Sequence, residues 1–455
     1  MRALAPARPI DLLALVALAL ALRLAMAWTI PLAAGGPDPN CAPDERAHFT
    51  FVRALAAGRA PTWPDETDSI YGAFLPTPYL LHAALLAAGR DAVGPGRFAP
   101  AEPWARGYQA ARLGSALLGA LACAALALAA GTWTSSRGAS LVVGAAAALY
   151  PQFVFLGAYT NADAFTLCAG ALHAWAVARW ATRGEGAPGL AAVGATAGLV
   201  LVGKMSGYFL LPPTAAWLTW AAVARRAPAR ALGAALLASA AVAVPVLSWN
   251  AVRNGGDVLG LGRYHRFLAE VFGGHDGRSE PRAWELFRWY LTHSAFGTFR
   301  NMDVHLPGRF FAVAWGLFAA GVAVGLARLA RADRPTRRGA AWLALTVATN
   351  LALVAYNCFF VDFSPQGRYV LLSVLLLAGV AIWAPVAPLS RIGGARLRWV
   401  WPAACLAFLT ASAIQAEVLV YRTACRPPAA AAILPARPPG RPAGQRVISS
   451  AGEPP

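Results

Sequence analysis

Apolar runs dominate the sequence, and many are long enough to form a membrane-spanning helix. A hydrocarbon core about 30 Å thick is crossed by about 20 mostly apolar residues of helix. Proline, glycine and charged clusters divide the chain into roughly eleven such runs. We therefore predict an all-α polytopic membrane protein with approximate spans at 10–32, 110–132, 138–158, 163–182, 189–203, 206–224, 231–250, 308–330, 339–361, 369–389 and 399–421.

Composition supports a membrane protein and argues against two soluble classes. Of 455 residues, 58% are hydrophobic and 13% are charged, whereas soluble domains carry roughly a quarter charged residues. The net charge of +18 would suit a nucleic-acid binder, but the basic residues form short clusters between apolar runs. We therefore expect a lipid bilayer as partner and no nucleic acid.

Arginine in alternate short loops predicts the orientation, because basic residues concentrate on the cytoplasmic side of membrane proteins. The N-terminus is predicted inside, and two long mixed loops, about 33–109 and 251–307, outside. The preference for Arg, Ala, Gly and Pro is typical of a GC-rich bacterium, which predicts the bacterial inner membrane. The cytoplasmic set comprises Arg2, Arg8, Arg137, Arg179, Arg183, Arg225, Arg226, Arg230, Arg328, Arg331, Arg334, Arg337, Arg338, Arg391, Arg396 and Arg398.

One polytopic domain is predicted over 1–421, followed by a Pro/Arg-rich, disordered outer tail at 422–455. The first span could instead be a signal peptide, but Arg23 interrupts its apolar run, and an uncleaved anchor preserves the charge alternation. The six cysteines show no metal-ligand spacing, so no metal site or cofactor is expected, although a divalent ion stays possible. Cys41 and Cys425 would share the outer side and could pair.

The first outer loop contains adjacent carboxylates, Asp44 and Glu45, followed by His48 in an amphipathic stretch that ends near Gly58. Asp44 could serve as a helix N-cap. A carboxylate held at the membrane surface could also remove a proton from an acceptor hydroxyl, with Glu45 or His48 tuning it. A short apolar helix beginning at Pro76 is predicted to be interfacial or re-entrant.

Two further charged residues fall on the same predicted face. Asp163 enters the fourth span and could cap it or orient an acceptor. Lys204, the single lysine of the chain, stands between apolar runs on the outer side. It could simply snorkel to the interface, but a phosphate partner is the sharper interpretation.

A polar motif precedes a late apolar helix on this face and contains Gln366, Arg368 and Tyr369. Arginine suits phosphate oxygens, although an interfacial Arg/Tyr belt would give the same pattern. Aromatic residues mixed with polar groups in loop 251–307 suit sugar stacking or a packed cover. We therefore assign Gln366, Arg368 and Tyr369, with His48, Asp163 and Lys204, as candidate substrate-binding residues.

Together these motifs resemble the GT-C-type integral-membrane glycosyltransferases, which include protein O-mannosyltransferases and bacterial aminoarabinose transferases of lipid A. The Asp44–Glu45 pair, Asp163, Lys204 with Leu211–Pro212, and Arg368–Tyr369 carry the resemblance over about 10–390. It implies a GT-C-like bundle and inverting transfer of a sugar from a polyprenyl-phosphate-sugar donor to a hydroxyl acceptor. Asp44 is the implied base, with Glu45 beside it.

Two other classes remain open at this stage. Many spans with a few outer charges also describe a transporter or a lipid or glycolipid flippase, although no clear internal repeat is present. A polysaccharide polymerase or ligase that uses a lipid-diphosphate donor would rely on Arg and His in a large outer loop, for which 251–307 is a candidate. Convergence of Asp44, Asp163, Lys204 and Arg368 on one cavity would favour the transferase.

Overall fold

The chain forms a bundle of helices, observed in a computed structural model. It describes residues 7–30, 42–67, 69–89, 106–184, 186–224, 227–272, 282–300, 302–329 and 334–424. The α-helices are α1 Pro9–Thr29, α2 Glu45–Ala56, α3 Leu80–Gly89, α4 Tyr108–Thr134, α5 Arg137–Leu149, α6 Pro151–Leu156, α7 Asp163–Arg183, α8 Ala187–Leu201, α9 Leu211–Val223, α10 Ala229–Arg253, α11 Leu261–Phe272, α12 Ala283–Phe296, α13 Gly308–Leu329, α14 Arg334–Phe360, α15 Leu371–Trp383, α16 Val386–Leu397 and α17 Val400–Ala424.

The predicted all-α polytopic fold is confirmed. Within the described ranges, seven helical segments are long and apolar enough to cross a membrane: Pro9–Thr29, Tyr108–Thr134, Ala229–Arg253, Gly308–Leu329, Thr336–Phe360, Leu371–Ile392 and Val400–Thr423. The remaining predicted spans fall on α5 with α6, on α7, on the short apolar helix α8, and on α9 with the turn before it. Each of the eleven predicted spans therefore coincides with helix.

Three predicted spans are interrupted where the length criterion assumed one continuous helix. Residues 138–158 divide into α5 and α6 because Pro151 forces the preceding Tyr150 into an extended conformation. Residues 206–224 begin as a 3₁₀ helix, Met205–Leu210, before the α-helix with Pro212 and Pro213 in its first turn. The span predicted at 369–389 breaks at Ala384–Pro385, between α15 and α16.

The two long loops contain structure of their own. In the first, the predicted amphipathic helix is α2, and the predicted short apolar helix is a 3₁₀ turn, Thr77–Tyr79, continuing into α3. The second loop contains α11, α12 and an antiparallel hairpin of Thr298–Phe299 with Val304–His305. It is therefore a folded element. Cys41, Cys425 and the tail from 425 onward lie outside the described residues, so the predicted pairing and disorder stay predictions.

The core of the bundle forms where small residues let helices approach closely. Helix α4 packs against α1, α5 and α7, and most of its residues are buried. Helices α8 and α10 meet at Gly194, where an added Cβ would lie 1.9 Å from the carbonyl oxygen of Ala235. Such glycine contacts are typical of helix interfaces in membranes, where close van der Waals packing drives association.

Replacing this glycine provides a test of the α8–α10 interface. We expect Gly194→Ala to lower the free energy of unfolding by about 1–3 kcal/mol, because the methyl group overpacks the contact. Gly233→Ala on α10 is the matched control, since no atom lies within 4 Å of the added Cβ. Thermal unfolding in detergent, followed by circular dichroism, should separate the two variants; equal melting temperatures would contradict the packing.

Candidate active site

The candidate site begins where the chain enters α2. Asp44 has a left-handed backbone, with φ of 58°, a conformation that non-glycine residues rarely adopt. Its carbonyl accepts the backbone N–H of His48 at 3.0 Å, but its side chain makes no capping hydrogen bond. The carboxylate is instead 51% exposed. Asp44 therefore occupies the predicted N-cap position without using its carboxylate as a cap.

Glu45, the next residue, faces the interior and binds Arg112 of α4. The guanidinium holds the carboxylate in two hydrogen bonds, Nε to Oε1 at 2.8 Å and Nη2 to Oε2 at 2.6 Å. Oε1 also accepts the backbone N–H of Thr160, at 2.9 Å. Arg112 reaches the end of α1 through the carbonyls of Ala27, at 2.7 Å, and Ile30. One fully buried ion pair thus joins α1, α2, α4 and the turn before α7.

Asp163 is the first residue of α7 and pairs with the single lysine. Its Oδ1 lies 2.9 Å from Nζ of Lys204, and the Asp163 side chain is only 3% exposed. The turn before α7 is fixed by Asn161, whose Oδ1 accepts the backbone N–H of Ala164 at 3.0 Å. Because Asn161 provides this cap, the carboxylate of Asp163 is directed to Lys204. The lysine therefore has a carboxylate partner and does not simply snorkel.

Arg368 lies between two carboxylates and connects the parts of the site. Its Nη2 is 3.6 Å from Oδ2 of Asp44, and its Nη1 is 3.7 Å from Oδ2 of Asp163. Both contacts are longer than a hydrogen bond. Within the described chain, Nε and Nη1 of Arg368 and Oδ2 of Asp163 are buried and make no hydrogen bond. The Nε and Nη1 donors of Arg368 therefore remain available to an anion that enters between the two carboxylates.

The two residues predicted beside Arg368, Tyr369 and Gln366, make different contacts. Tyr369 lies beside both cations, with Nζ of Lys204 5.3 Å from its ring centroid and Cζ of Arg368 5.4 Å from it. Gln366 donates from Nε2 to Oγ of Ser364 at 2.9 Å, within its own loop. A small cleft opens here between α7, the Met205–Leu210 turn and α15, and its lining includes Asp163, Thr166, Ser206, Gly207, Phe209, Arg368, Tyr369 and Leu372.

His48 lies behind the carboxylates, in a buried group of rings. Its Nδ1 is 2.7 Å from the hydroxyl of Tyr79, and its ring stacks on Tyr71 with centroids 3.7 Å apart. Burial, followed by the nearby Lys204 and Arg368, lowers the pKa of His48 well below its usual value. The imidazole is therefore neutral at neutral pH and supports the rings of the first loop.

Several contributors to the site were missed from the sequence. Arg112 lies inside a predicted span, 67 positions from its partner Glu45, and nothing local indicates that pairing. Tyr79 and Tyr71 stood in the first loop without an assigned role. A partial signal existed for Tyr264, an aromatic residue of the second loop, which places its hydroxyl 3.5 Å from Oδ2 of Asp362. No group of three His, Cys, Asp or Glu side chains suited to a metal ion is found in the described ranges.

The buried pair can be tested against an exposed one. We expect Glu45→Ala to lower the free energy of unfolding by about 3–5 kcal/mol, because a buried guanidinium loses the carboxylate that compensates it. Glu285→Ala is the control, since the Arg282–Glu285 pair lies on the surface, with both side chains 54% exposed. Thermal melts in detergent should show a large loss for the first variant alone; a negligible loss at Glu45 would contradict a structural ion pair.

Comparison with known proteins gives one family match and several solved structures. Residues 105–249 match the family described as dolichyl-phosphate-mannose-protein mannosyltransferase. No curated protein sequence matches the chain. The fold is similar to that of ArnT from Cupriavidus metallidurans in the apo state, with TM-score 0.53, 14% identity, and coverage of 90% of this chain and 76% of that one. ArnT bound to undecaprenyl phosphate gives TM-score 0.50, 16% identity and the same coverage.

A second kind of solved enzyme has a similar fold. The Archaeoglobus fulgidus oligosaccharyltransferase tethered to an acceptor peptide matches with TM-score 0.51 and 14% identity, over 92% of this chain. The chain spans 55% of that protein's length. At these identities the likeness concerns the fold. The match over residues 105–249 and the shared architecture confirm the predicted resemblance of this chain to the GT-C-type integral-membrane glycosyltransferases.

Proposed function

We propose that the protein is an inverting glycosyltransferase that moves a sugar from a polyprenyl-phosphate-sugar donor to a hydroxyl acceptor. The observation that carries this proposal is the position of Arg368, between the exposed carboxylate of Asp44 and the buried Asp163–Lys204 pair. A candidate base and a candidate phosphate site thus lie on opposite sides of one guanidinium. Inverting displacement needs the base and the leaving phosphate on opposite faces of the anomeric carbon, and a sugar bound beside Arg368 would lie between Asp44 and the Asp163–Lys204 pair.

Lys204 and Arg368 are the proposed ligands of the donor phosphate. Arginine and lysine donate charge-assisted hydrogen bonds to phosphate oxygens. Arg368 lines a small cleft whose other walls include Leu167, Phe209 and Leu372. Lys204 stands beside this cleft through its 2.9 Å bond to Asp163, which also lines it. Among proteins of similar fold, ArnT has been solved with undecaprenyl phosphate and the archaeal oligosaccharyltransferase with a dolichol-phosphate, which supports a lipid-phosphate donor here.

Asp44 is the proposed general base. Its carboxylate accepts the proton of the acceptor hydroxyl while the acceptor oxygen forms a bond to the anomeric carbon. The bond from that carbon to the phosphate oxygen breaks, and its electron pair leaves with the lipid phosphate. Lys204 and Arg368 stabilise the charge that develops there. A positioned base contributes typically 10²–10⁴-fold in rate.

Glu45 and His48 are proposed to act indirectly. Glu45 was predicted beside the base, but Arg112 and the Thr160 N–H occupy its carboxylate. It therefore holds the first turn of α2, and with it the strained backbone of Asp44. His48 is buried against Tyr79 and Tyr71, so it supports the first loop. Tyr369, which lines the cleft, and Gln366, two positions before Arg368, remain proposed substrate contacts.

The site is proposed to face the periplasm or cell exterior, in a bacterial inner membrane. Asp44, Asp163, Lys204 and Arg368 meet at one end of the bundle. At the opposite end, Arg137 at the start of α5 pairs with Asp11 at 2.7 Å. Other arginines of that end stand in the last turns of α7, α13 and α16. Basic residues concentrate on the cytoplasmic side, which supports a cytoplasmic N-terminus.

The base assignment is tested with Asp44→Asn, which preserves shape and removes the proton acceptor. We expect transfer from undecaprenyl-phosphate sugars to fall at least about 100-fold, with lipid binding retained. Asp303→Asn is the control, because this carboxylate is 48% exposed and pairs only loosely with Arg300, at 3.6 Å. Transfer is measured by product formation in nanodiscs. Full turnover by the Asp44→Asn variant would refute the assignment.

The phosphate site is tested by binding of undecaprenyl phosphate, which needs no sugar. We expect Lys204→Ala to weaken binding about tenfold or more, since hydrogen bonds to charged groups contribute about 1.5–3 kcal/mol. Arg309→Ala, an exposed arginine in the first turn of α13, is the control. Native mass spectrometry of the detergent-solubilised protein reports binding, and a melt confirms folding. Unchanged affinity in a folded Lys204→Ala variant would count against the site.

A further inference from the structure

One turn of α2 after Asp44, His48 stacks on Tyr71 of the first long loop, and both long loops contribute aromatic rings around that tyrosine. We call Tyr71, Phe74 and Tyr264 the aromatic wall. The Phe74 and Tyr264 centroids are 5.4 Å apart, and those of Tyr71 and Phe74 are 6.3 Å apart. All three side chains are partly exposed. Asp362, also partly exposed, stands at the edge of the wall, with Oδ2 3.5 Å from the Tyr264 hydroxyl.

The wall is held rigid by the second loop. Nη2 of Arg253, at the end of α10, donates to the carbonyl oxygens of Gly72 and Phe74 at 2.9 and 2.7 Å. Asn254 donates to the carbonyl of Ala73 at 3.2 Å. At Gly260, where φ is 74°, a Cβ would lie 1.9 Å from the Ala73 oxygen, so only glycine permits this approach. Such preorganisation lowers the entropic cost of binding a ligand.

The wall adjoins the turn that carries Asp44, because Tyr71 stacks on His48 with ring centroids 3.7 Å apart and the His48 backbone N–H donates to the Asp44 carbonyl. After burial, the nearby Asp44 carboxylate is the largest influence that raises the pKa of Tyr71. Burial and then Asp362 raise the pKa of Tyr264. Both hydroxyls therefore stay protonated and can donate hydrogen bonds. In the proposed reaction the acceptor hydroxyl must reach the carboxylate of Asp44, and Tyr71 and Phe74 of the wall belong to the same first loop.

The chemistry of the wall distinguishes between acceptor classes. An extended peptide is commonly held through main-chain hydrogen bonds, but the carbonyls of Gly72, Ala73 and Phe74 are already occupied. An anionic acceptor would meet the carboxylates of Asp44 and Asp362. A neutral sugar ring instead offers C–H groups to the aromatic faces, and its hydroxyls can hydrogen-bond to tyrosine hydroxyls and to a carboxylate. Tyrosine suits such a ligand because it combines an apolar ring with a polar hydroxyl.

We infer that the acceptor is a neutral carbohydrate hydroxyl, and that the sugar bearing it binds against Tyr71, Phe74 and Tyr264 with Asp362 at its edge. This inference rests on the proposed function, which it extends by naming the acceptor class. The sugar could belong to a soluble glycan or to a glycolipid head group, since the recognition chemistry is the same. Tyr264 and Asp362 are assigned as acceptor-binding residues, and Arg253 and Asn254 position the wall.

The test uses the full chain in nanodiscs with undecaprenyl-phosphate-linked sugars as donors. Three acceptor probes are compared: neutral methyl glycosides, the same sugars as membrane-inserted alkyl glycosides, and N-acetylserine amide. Hydrolysis of the donor by water is followed separately. We expect transfer to glycosides and little to the serine compound. Preference for the methyl or for the alkyl form then identifies a soluble or a membrane-bound source.

Variants of the wall give the second readout. Tyr264→Leu and Asp362→Asn should each raise the KM for the glycoside about three- to tenfold, while donor hydrolysis, which needs no sugar acceptor, is still detected. Trp284→Leu is the control, since this ring is 60% exposed on α12 in the same loop; it should change neither quantity. Misfolding would abolish donor hydrolysis as well, so a raised KM with donor hydrolysis retained indicates a loss of acceptor binding.

The outcomes separate the inference from the function on which it rests. Donor hydrolysis or undecaprenyl phosphate binding without transfer to any glycoside would overturn the inference while leaving the donor site intact. Transfer to the serine compound alone, or a glycoside KM that is unchanged in both wall variants, would overturn it as well. Absence of both donor hydrolysis and undecaprenyl phosphate binding would overturn the proposed function, and the acceptor assignment with it.

Discussion

The buried ion pair between Glu45 and Arg112 is the interaction on which the rest of the site depends. Both side chains are almost completely buried, and charges removed from water are tolerated only with close, well-satisfied partners. Here the guanidinium also binds the end of α1, while the carboxylate binds the turn before α7. The first turn of α2 therefore cannot move independently of α1, α4 or α7, and the distance from Asp44 to Asp163 is fixed by the same pair.

This anchoring explains how Asp44 persists in a left-handed conformation. Such backbone strain costs on the order of 1 kcal/mol and remains only where the surroundings determine the conformation. Glu45, the next residue, and His48, one turn later, each bind a buried partner. These two contacts fix the backbone conformation of Asp44. The strained position directs the Asp44 carboxylate out of the helix and toward Arg368. The strain and the exposure of this carboxylate therefore have one structural cause.

Which candidate residues lie close together was more predictable from the sequence than the contacts each of them makes. Asp44, Asp163, Lys204 and Arg368 were placed on one membrane face by counting spans, and the structure brings all four together. The role of Glu45 depended on Arg112, 67 positions away inside an apolar run, and no local pattern encodes that pairing. The positions of the spans were predictable from the lengths of the apolar runs, but the interruption at Pro151 depends on the extended backbone of Tyr150, which a count of apolar residues ignores.

The charges of the candidate site bear on how it would bind the phosphate of the proposed donor. Asp163 and the exposed Asp44 supply two negative charges, and Lys204 and Arg368 supply two positive ones, so the four charges of the cluster balance. Lys204 is held by a 2.9 Å bond to Asp163, whereas both contacts of Arg368 exceed 3.5 Å. The guanidinium of Arg368 is thus bound less tightly to carboxylates than the ammonium group of Lys204 is. A phosphate would complete the hydrogen bonding of Arg368 first and share Lys204 with Asp163, which keeps that lysine oriented throughout the reaction.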